Sequence, residues 1–377
     1  MDLAKRLLLF TIFFSVLSFI LFAIIPRRLA PEYGILAATA VDFSSPGTPV
    51  DSAALHGAVP EHMAETFRRV EYRNGRVPLP LSAVGARQAD RIGVVTGEDT
   101  FVFQFESYFE IGKTAVAGDH PGTGALNVLD RSGETVEYPE ADRAVLFESK
   151  VLLLSDGGRR FASVSDGVGP DLRWLSVPAP ITAAVPIDDR VIVGDAVGTI
   201  TAYDDRNMLW RFEMPGSDHP TVLALGTGPE LETLYAVGGV EPTSLARFEI
   251  DSSQPALAAA EALDEDLRSP IHLLVTQNGP IVASGQSIRI YGTDLEKRAS
   301  ADLDGNVDAL GFTEPKKLIY ALVSTGDRQR LEFRYTDTLE LMYAIDFPEG
   351  LHSVQSSGPY YAFGTADAVL IYTELRP

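Results

Sequence analysis

Residues 181–215 read ITAAVPIDDRVIVGDAVGTITAYDDRNMLWRFEMP. Four runs stand out within them: ITAAVPI, RVIVGD, GTITAYD and LWRFEM. Each is short, rich in β-branched or aromatic residues, and bounded by Asp, Gly or Asn. That composition predicts strands joined by tight hairpins, because branched and aromatic side chains fit a pleated surface and the bounding residues fit turns. The stretch is therefore one small four-stranded antiparallel sheet, whose two apolar faces both need partners.

The same grammar recurs on either side. Before it runs Arg143-AVLFES, Lys150-VLLLSD, Arg160-FASVSD and Arg173-WLSVP. After it come Ile271-HLLVTQ, Pro280-IVASG, Ser287-IRIYGTD and Lys297-RASADL, then Val307-DALGFT, Lys317-LIYALVS, Arg330-LEFRYTD and Glu340-LMYAIDF. A last unit, Leu351-HSVQS, Pro359-YYAFGT and Ala368-VLIYTEL, stops one strand short. Two units with less regular spacing occupy Phe101 to Tyr138 and Thr221 to Leu263. Pro255-ALAAAEAL-Asp264 has helical composition but stands isolated in an otherwise all-β pattern.

Unit starts near residues 101, 143, 181, 220, 269, 306 and 351 give steps of about 37–49 residues, the length of a β-propeller blade. Stacking blades around an axis covers both faces of each sheet, and closing the ring leaves no terminal blade exposed. The fold class read from this is all-β: a single β-propeller, seven blades preferred with six or eight as alternatives, behind an N-terminal transmembrane helix. A two-sheet sandwich is the competing architecture. It does not account for the repeated four-strand grammar, or for small-residue inner strands such as TAAV that suit a tapering axis. The strand missing from the last unit is expected from residues 64–100, so the propeller spans 64–377.

Val193-Gly194, Gly198, Tyr203-Asp204 and Trp210 resemble the repeat of the quinoprotein-like (PQQ-like) and WD40/YVTN-like propeller families. The resemblance covers residues 101–377 for the fold and one blade for sequence. It implies a bacterial membrane-anchored propeller repeat protein. A resembling class acts as scaffolds in envelope assembly, commonly through a lipid anchor, and this chain has no cysteine to acylate.

Leu7 to Ile25 is an uninterrupted apolar run, LLLFTIFFSVLSFILFAII. Its length as a helix matches the ~30 Å hydrocarbon core of a bilayer. Lys5 and Arg6 precede it and Arg27-Arg28 follow it. A cleaved signal peptide has a shorter apolar region and a small-residue cleavage site close behind. The reading is a signal anchor over 1–28, a Pro/Ala-rich tether over 29–63 (five prolines fall from Pro26 to His62), and a single-pass protein of the cytoplasmic membrane with its propeller in the periplasm.

Net charge is −21, which argues against nucleic acid as a partner, since phosphate binding requires clustered Lys and Arg. The absence of cysteine excludes disulfide scaffolds, thiol enzymes and Cys-ligated metals. No H-E-x-x-H, G-x-S-x-G or phosphate-binding glycine loop occurs. His120 and His219 sit in matching Asp-His-Pro contexts, which also read as turn chemistry. Asp302, Asp304, Asn306 and Asp308 alternate as oxygen donors do in calcium loops, but the glycine and closing Glu of an EF-hand are out of place. An inter-blade turn is the plainer account of them. Trp174 and Trp210, flanked by Arg173 and Arg211, fall at equivalent outer-strand positions and suit either inter-blade packing or an aromatic-basic contact patch.

No residue is assigned a catalytic, cofactor or metal role, and no cofactor is expected. The functional expectation is an envelope scaffold that binds protein partners. A propeller hydrolase or lyase, or a small-ligand sensor, with its site at the central-channel mouth, is the alternative.

Overall fold

The computed structural model describes strands at 34–42, 84–88 and 91–95 and most of the chain from 100 to 375. Every helix or strand element among these residues is a β-strand, and the strands form eight antiparallel sheets. The 181–215 stretch makes Ile181–Ile187, Arg190–Asp195, Thr199–Tyr203 and Met208–Glu213, hydrogen-bonded in that order. In chain order this is the fourth sheet.

The second sheet runs Phe109–Ile111, Ala115–Asp119, Leu126–Asp130 and Thr135–Tyr138; the third runs Arg143–Leu146, Lys150–Ser155, Arg160–Ser165 and Leu175–Ser176. The fifth holds His219–Thr227, Thr233–Val240, Ser244–Glu249 and Ala256–Ala262. Ile271–Thr276, Gly279–Ser284, Ser287–Tyr291 and Lys297–Asp302 make the sixth, and Asn306–Phe312, Leu318–Thr325, Arg328–Tyr335 and Leu341–Phe347 the seventh. In each, neighbours in sequence are neighbours in the sheet.

The core lies in the seams between sheets. Alternate side chains of the second strand point to opposite neighbours, as a period of two requires. Val191 and Val193 pack with Leu152, Leu154 and Phe161 of the third sheet. Ile192 shares a cluster with Leu234, Ala236 and Phe248 of the fifth. Equivalent seams join every consecutive pair from Phe103 and Val116, between the first and second sheets, to Phe347 and Phe363, between the seventh and eighth. Val84–Gln88 of the first sheet lies against Ser353–Ser357 and Tyr360–Gly364 of the eighth, so the series returns on itself. Burying a Phe or Leu in such a seam contributes about 1.5–3 kcal/mol, which no isolated sheet obtains.

The structure differs from the sequence reading in three places. The strand completing the eighth sheet is Gly34–Asp42, paired antiparallel with Ala368–Leu375, and it lies in the stretch read as tether. Flanking prolines hid it, and Pro is compatible with an edge strand's ends. Residues up to 100, assigned to closure, instead build with 101–104 a further sheet, Val84–Gln88, Arg91–Val95 and Thr100–Gln104, which takes Phe101 out of the first unit read from the sequence and brings the sheets to eight where seven were preferred. Finally, Ala256–Ala262 is a strand and not a helix. Pairing with Ser244–Glu249 overrides the weak intrinsic preference of alanine. The apolar run 7–25 lies outside the described residues, as do 43–83.

One feature of the ladders had no signal in the sequence. The outermost strand carries one extra residue in four successive sheets: Leu209, Ala258, Arg298 and Met342 each interrupt the register with the third strand. Such a bulge adds local twist, and here it recurs at the same place in each sheet.

Candidate interaction surface

In an up-and-down sheet, the turn between the second and third strands and the link to the next sheet lie at the same end. One closely fitted part of that end is the joint between the fourth and fifth sheets. A Cβ on Gly194 would lie 2.3 Å from Cγ1 of Val222, and one on Gly198 (φ 84°) would lie 2.4 Å from the carbonyl oxygen of Pro220. Only glycine permits this approach, which gives the Val-Gly and Gly signals of the repeat a physical cause. Two threonines cross the joint: Thr182 donates to the carbonyl of Val222 at 2.5 Å, and Thr221 to that of Ala196 at 2.8 Å. Asp195 closes the turn by accepting from the backbone N–H of Val197 (3.1 Å) and Thr199 (2.7 Å).

On top of this joint sit two exposed valines. Val197 is 57% exposed and Val240 47% exposed, both large values for a branched apolar side chain. They are connected through the link between the sheets: the 196–198 turn rests on Pro220 and Thr221, while Ser217 Oγ donates to the carbonyl of Val240 at 3.0 Å and accepts its N–H at 3.2 Å. Val197, Pro220, His219 and Val240 thus lie at one end of this joint as a ridge, with exposed Asp218 and Glu241 beside them. His219 was singled out from its motif, but the valines were not. The available signal was a valine inside a tight turn, between Asp195 and Gly198, where branched residues are rare.

His120 lies in a turn of the second sheet, and His219 opens the first strand of the fifth, so the matching motifs are not equivalent positions. Asp302, Asp304, Asn306 and Asp308 are all exposed along the link from the sixth to the seventh sheet. Asp308 is occupied by the hydroxyl of Ser324 and by Gln329 Nε2 at 3.2 Å. The inner strands carry His272, whose Nε2 lies 3.2 Å from the Val307 carbonyl and whose pKa burial pushes down, and Glu110, whose pKa burial pushes up. These belong to the sixth and second sheets, and among the described residues no three His, Asp or Glu side chains gather in a metal-holding group.

Trp174 and Trp210 do not share a patch. Trp174 is half-buried against the seam of the second and third sheets, with the Arg160 guanidinium 5.3 Å from its ring centroid. Trp210 turns the other way, into the seam with the fifth sheet, 5.7 Å from the Phe212 ring. Arg173 and Arg211 are exposed beside them, and Arg211 Nη2 donates to Thr199 Oγ1 at 3.2 Å.

No protein-family model and no curated protein matches the chain. Among solved structures it is similar to the computationally designed Ika8 protein, with a TM-score of 0.54 and 12% identity over 78% of this chain and 93% of that one. It is also similar to BamB from Moraxella catarrhalis, with a TM-score of 0.52 and 15% identity over 79% of this chain and 98% of BamB. BamB is a PQQ-like β-propeller lipoprotein. Likeness at this level of identity speaks to fold, and together with the repeated four-stranded sheets it makes this chain a β-propeller.

Proposed function

We propose that this chain is a single-pass membrane protein whose eight sheets are eight blades of an extracytoplasmic propeller, and that the propeller is a docking platform for a protein partner in the envelope. The ridge of Val197, Pro220, His219 and Val240 is the contact surface. The observation that carries the reading is the pair of exposed valines held on a joint too closely fitted to rearrange. Rigid presentation lowers the entropy cost of association, and a small apolar centre with a polar rim is the anatomy of a protein contact. Fold likeness to a lipoprotein supports the envelope setting. The apolar run Leu7 to Ile25, with cations at both ends, supports a helical anchor in place of a lipid. The acidic balance supports a protein partner over a nucleic acid.

The test is affinity capture of the full chain from detergent-solubilised membranes, comparing the native protein with the Val197→Asp, Val240→Asp double variant. A stoichiometric partner should be lost from the variant while its thermal midpoint is retained. Recovery of no stoichiometric partner with the native chain, or equal recovery with both, rejects the docking role of this surface.

A further inference from the structure

The outer strands of the sheets are not alike. In the sixth sheet that strand reads KRASAD, and in the fourth MLWRFE, each with charges among its exposed residues. In the fifth it reads ALAAAEA, with Ala256, Leu257, Ala258, Ala260, Glu261 and Ala262 exposed and Ala259 half-buried. Among the described residues it pairs on one side only, with Ser244–Glu249. The Leu263 N–H bonds to the Thr243 carbonyl at 2.8 Å, so antiparallel alternation turns the N–H and C=O of Ala262 and Ala260 away from the sheet. Sheet edges are ordinarily blunted by charge or proline, and this one has a single Glu to do so, with Pro255 only preceding it.

The C-terminal end of that strand opens into a cleft of about 350 Å³ between the fifth and sixth sheets. Glu261, Asp294 and Glu296 bring three carboxylates to its lining, against Lys297 and the buried Arg289, and Asp294 pairs with Arg298 at 3.8 Å, which leaves Glu261 as the carboxylate at the strand edge. A residue directly opposite Glu261 on an added strand would point to the same face, with its Cβ about 5 Å away.

We propose that the edge Ala256–Ala262 receives an extended segment of a partner protein by β-strand addition, with a Lys or Arg of that segment beside Glu261 at the mouth of the cleft. Backbone pairing supplies the affinity, and Glu261 on the edge favours a cationic register. Charge selects this occupant over a second copy of the chain, because two bodies of net charge −21 repel while a cationic segment is attracted. This edge is separate from the Val197–Val240 ridge, and the proposal stands whether or not that ridge docks anything.

The probe is a fluorescein-labelled peptide of alternating lysine and valine, measured by anisotropy against the full chain in detergent. Its partner probe has the same sequence with alternate backbone nitrogens methylated, which keeps the charge and removes strand pairing. The expected result is saturable binding of the first and at least tenfold weaker binding of the second. Glu261→Gln should weaken the first about five-fold, and the amides of 256–262 should gain hydrogen-exchange protection when it is bound. Equal binding of both peptides, no binding, or protection elsewhere overturns the proposal. So does concentration-dependent dimerisation abolished by Ala258→Lys, which would assign the edge to a second copy.

Discussion

Ala115–Asp119 ends in Ala-Gly-Asp and Arg190–Asp195 in Val-Gly-Asp, each as the second strand of its sheet, yet the two strands are set one residue out of phase. A Cβ on Gly118 would meet Phe103 at 2.8 Å and the Tyr108 carbonyl at 3.0 Å, toward the preceding sheet. Gly194 faces Val222, in the following one. The aspartates differ as well. Asp195 serves its own turn, whereas Asp119 reaches the link from the first sheet and accepts from the N–H groups of Glu106, Ser107 and Tyr108 at 2.9–3.0 Å and from the Ser107 hydroxyl at 2.6 Å. Both joints approach closely at the glycine, but the fourth-to-fifth joint is tied by the two threonines that cross it and the first-to-second by a solvated carboxylate. A slip of one residue exchanges every side chain between faces, so the same closing Gly-Asp serves two designs.

The largest effect should come from a pair of alanine substitutions that isolates the fit. Gly122 and Gly198 both lie in second-to-third turns with nearly equal φ, 86° and 84°. A Cβ at 122 has nothing within 4 Å, while at 198 it meets the Pro220 carbonyl. Both variants carry the left-handed strain of about 1–2 kcal/mol. Gly198→Ala adds overpacking against backbone and should lose about 3–5 kcal/mol in all. Urea denaturation of the two variants should separate them by at least ~2 kcal/mol; equal losses would show that the joint yields.

A smaller effect tests the polar joint. Desolvation pushes the Asp119 carboxyl upward, but the hydrogen bonds from Ser107, Tyr108 and Glu106 outweigh it and hold the pKa below the usual carboxylate value. A depressed folded-state pKa contributes stability that is present above the unfolded value and lost as pH falls through the folded one. Asp119→Ala should therefore cost about 1–2 kcal/mol at neutral pH, in the range of capping residues. That difference should shrink as pH drops below about 4. Thermal midpoints of both proteins between neutral and acidic pH would show the curves converging; a constant gap would place the carboxylate's role in shape and not in charge.

This contrast also marks how far the sequence could be read. The fourth sheet was legible strand by strand, because its four runs are separated by short turns and its glycines answer to contacts within the repeat. Phe101 was placed in the wrong sheet since the link 105–108 is held by the distant Asp119, a tie with no local pattern. Gly34–Asp42 was missed because its partner Ala368–Leu375 lies at the other end of the chain, and pairing at that separation leaves no periodic trace. The ridge was half visible: His219-Pro220 declared a turn, but only the fold sets Val240 beside it. Outer-strand bulges and the phase of each second strand belong to three dimensions alone.

The smallest effect concerns the Trp210 indole. Its Nε1 is buried with no hydrogen-bond partner, while the ring packs between the fourth and fifth sheets. An unpaired buried donor costs about 1–3 kcal/mol, and a Trp ring removed to alanine costs about 3–5. Trp210→Phe removes the orphan donor together with part of the ring, so the two changes oppose each other and the net should stay within about 1 kcal/mol of zero. At Trp174 the same substitution weakens the stack with Arg160, worth about 0.5–1 kcal/mol at an exposed site, and has no orphan donor to relieve. Trp174→Phe should therefore be the more destabilising of the two. Denaturation midpoints in the reverse order would mean that the Trp210 N–H finds water in solution, and the steric joint would then be less dry than its glycines require.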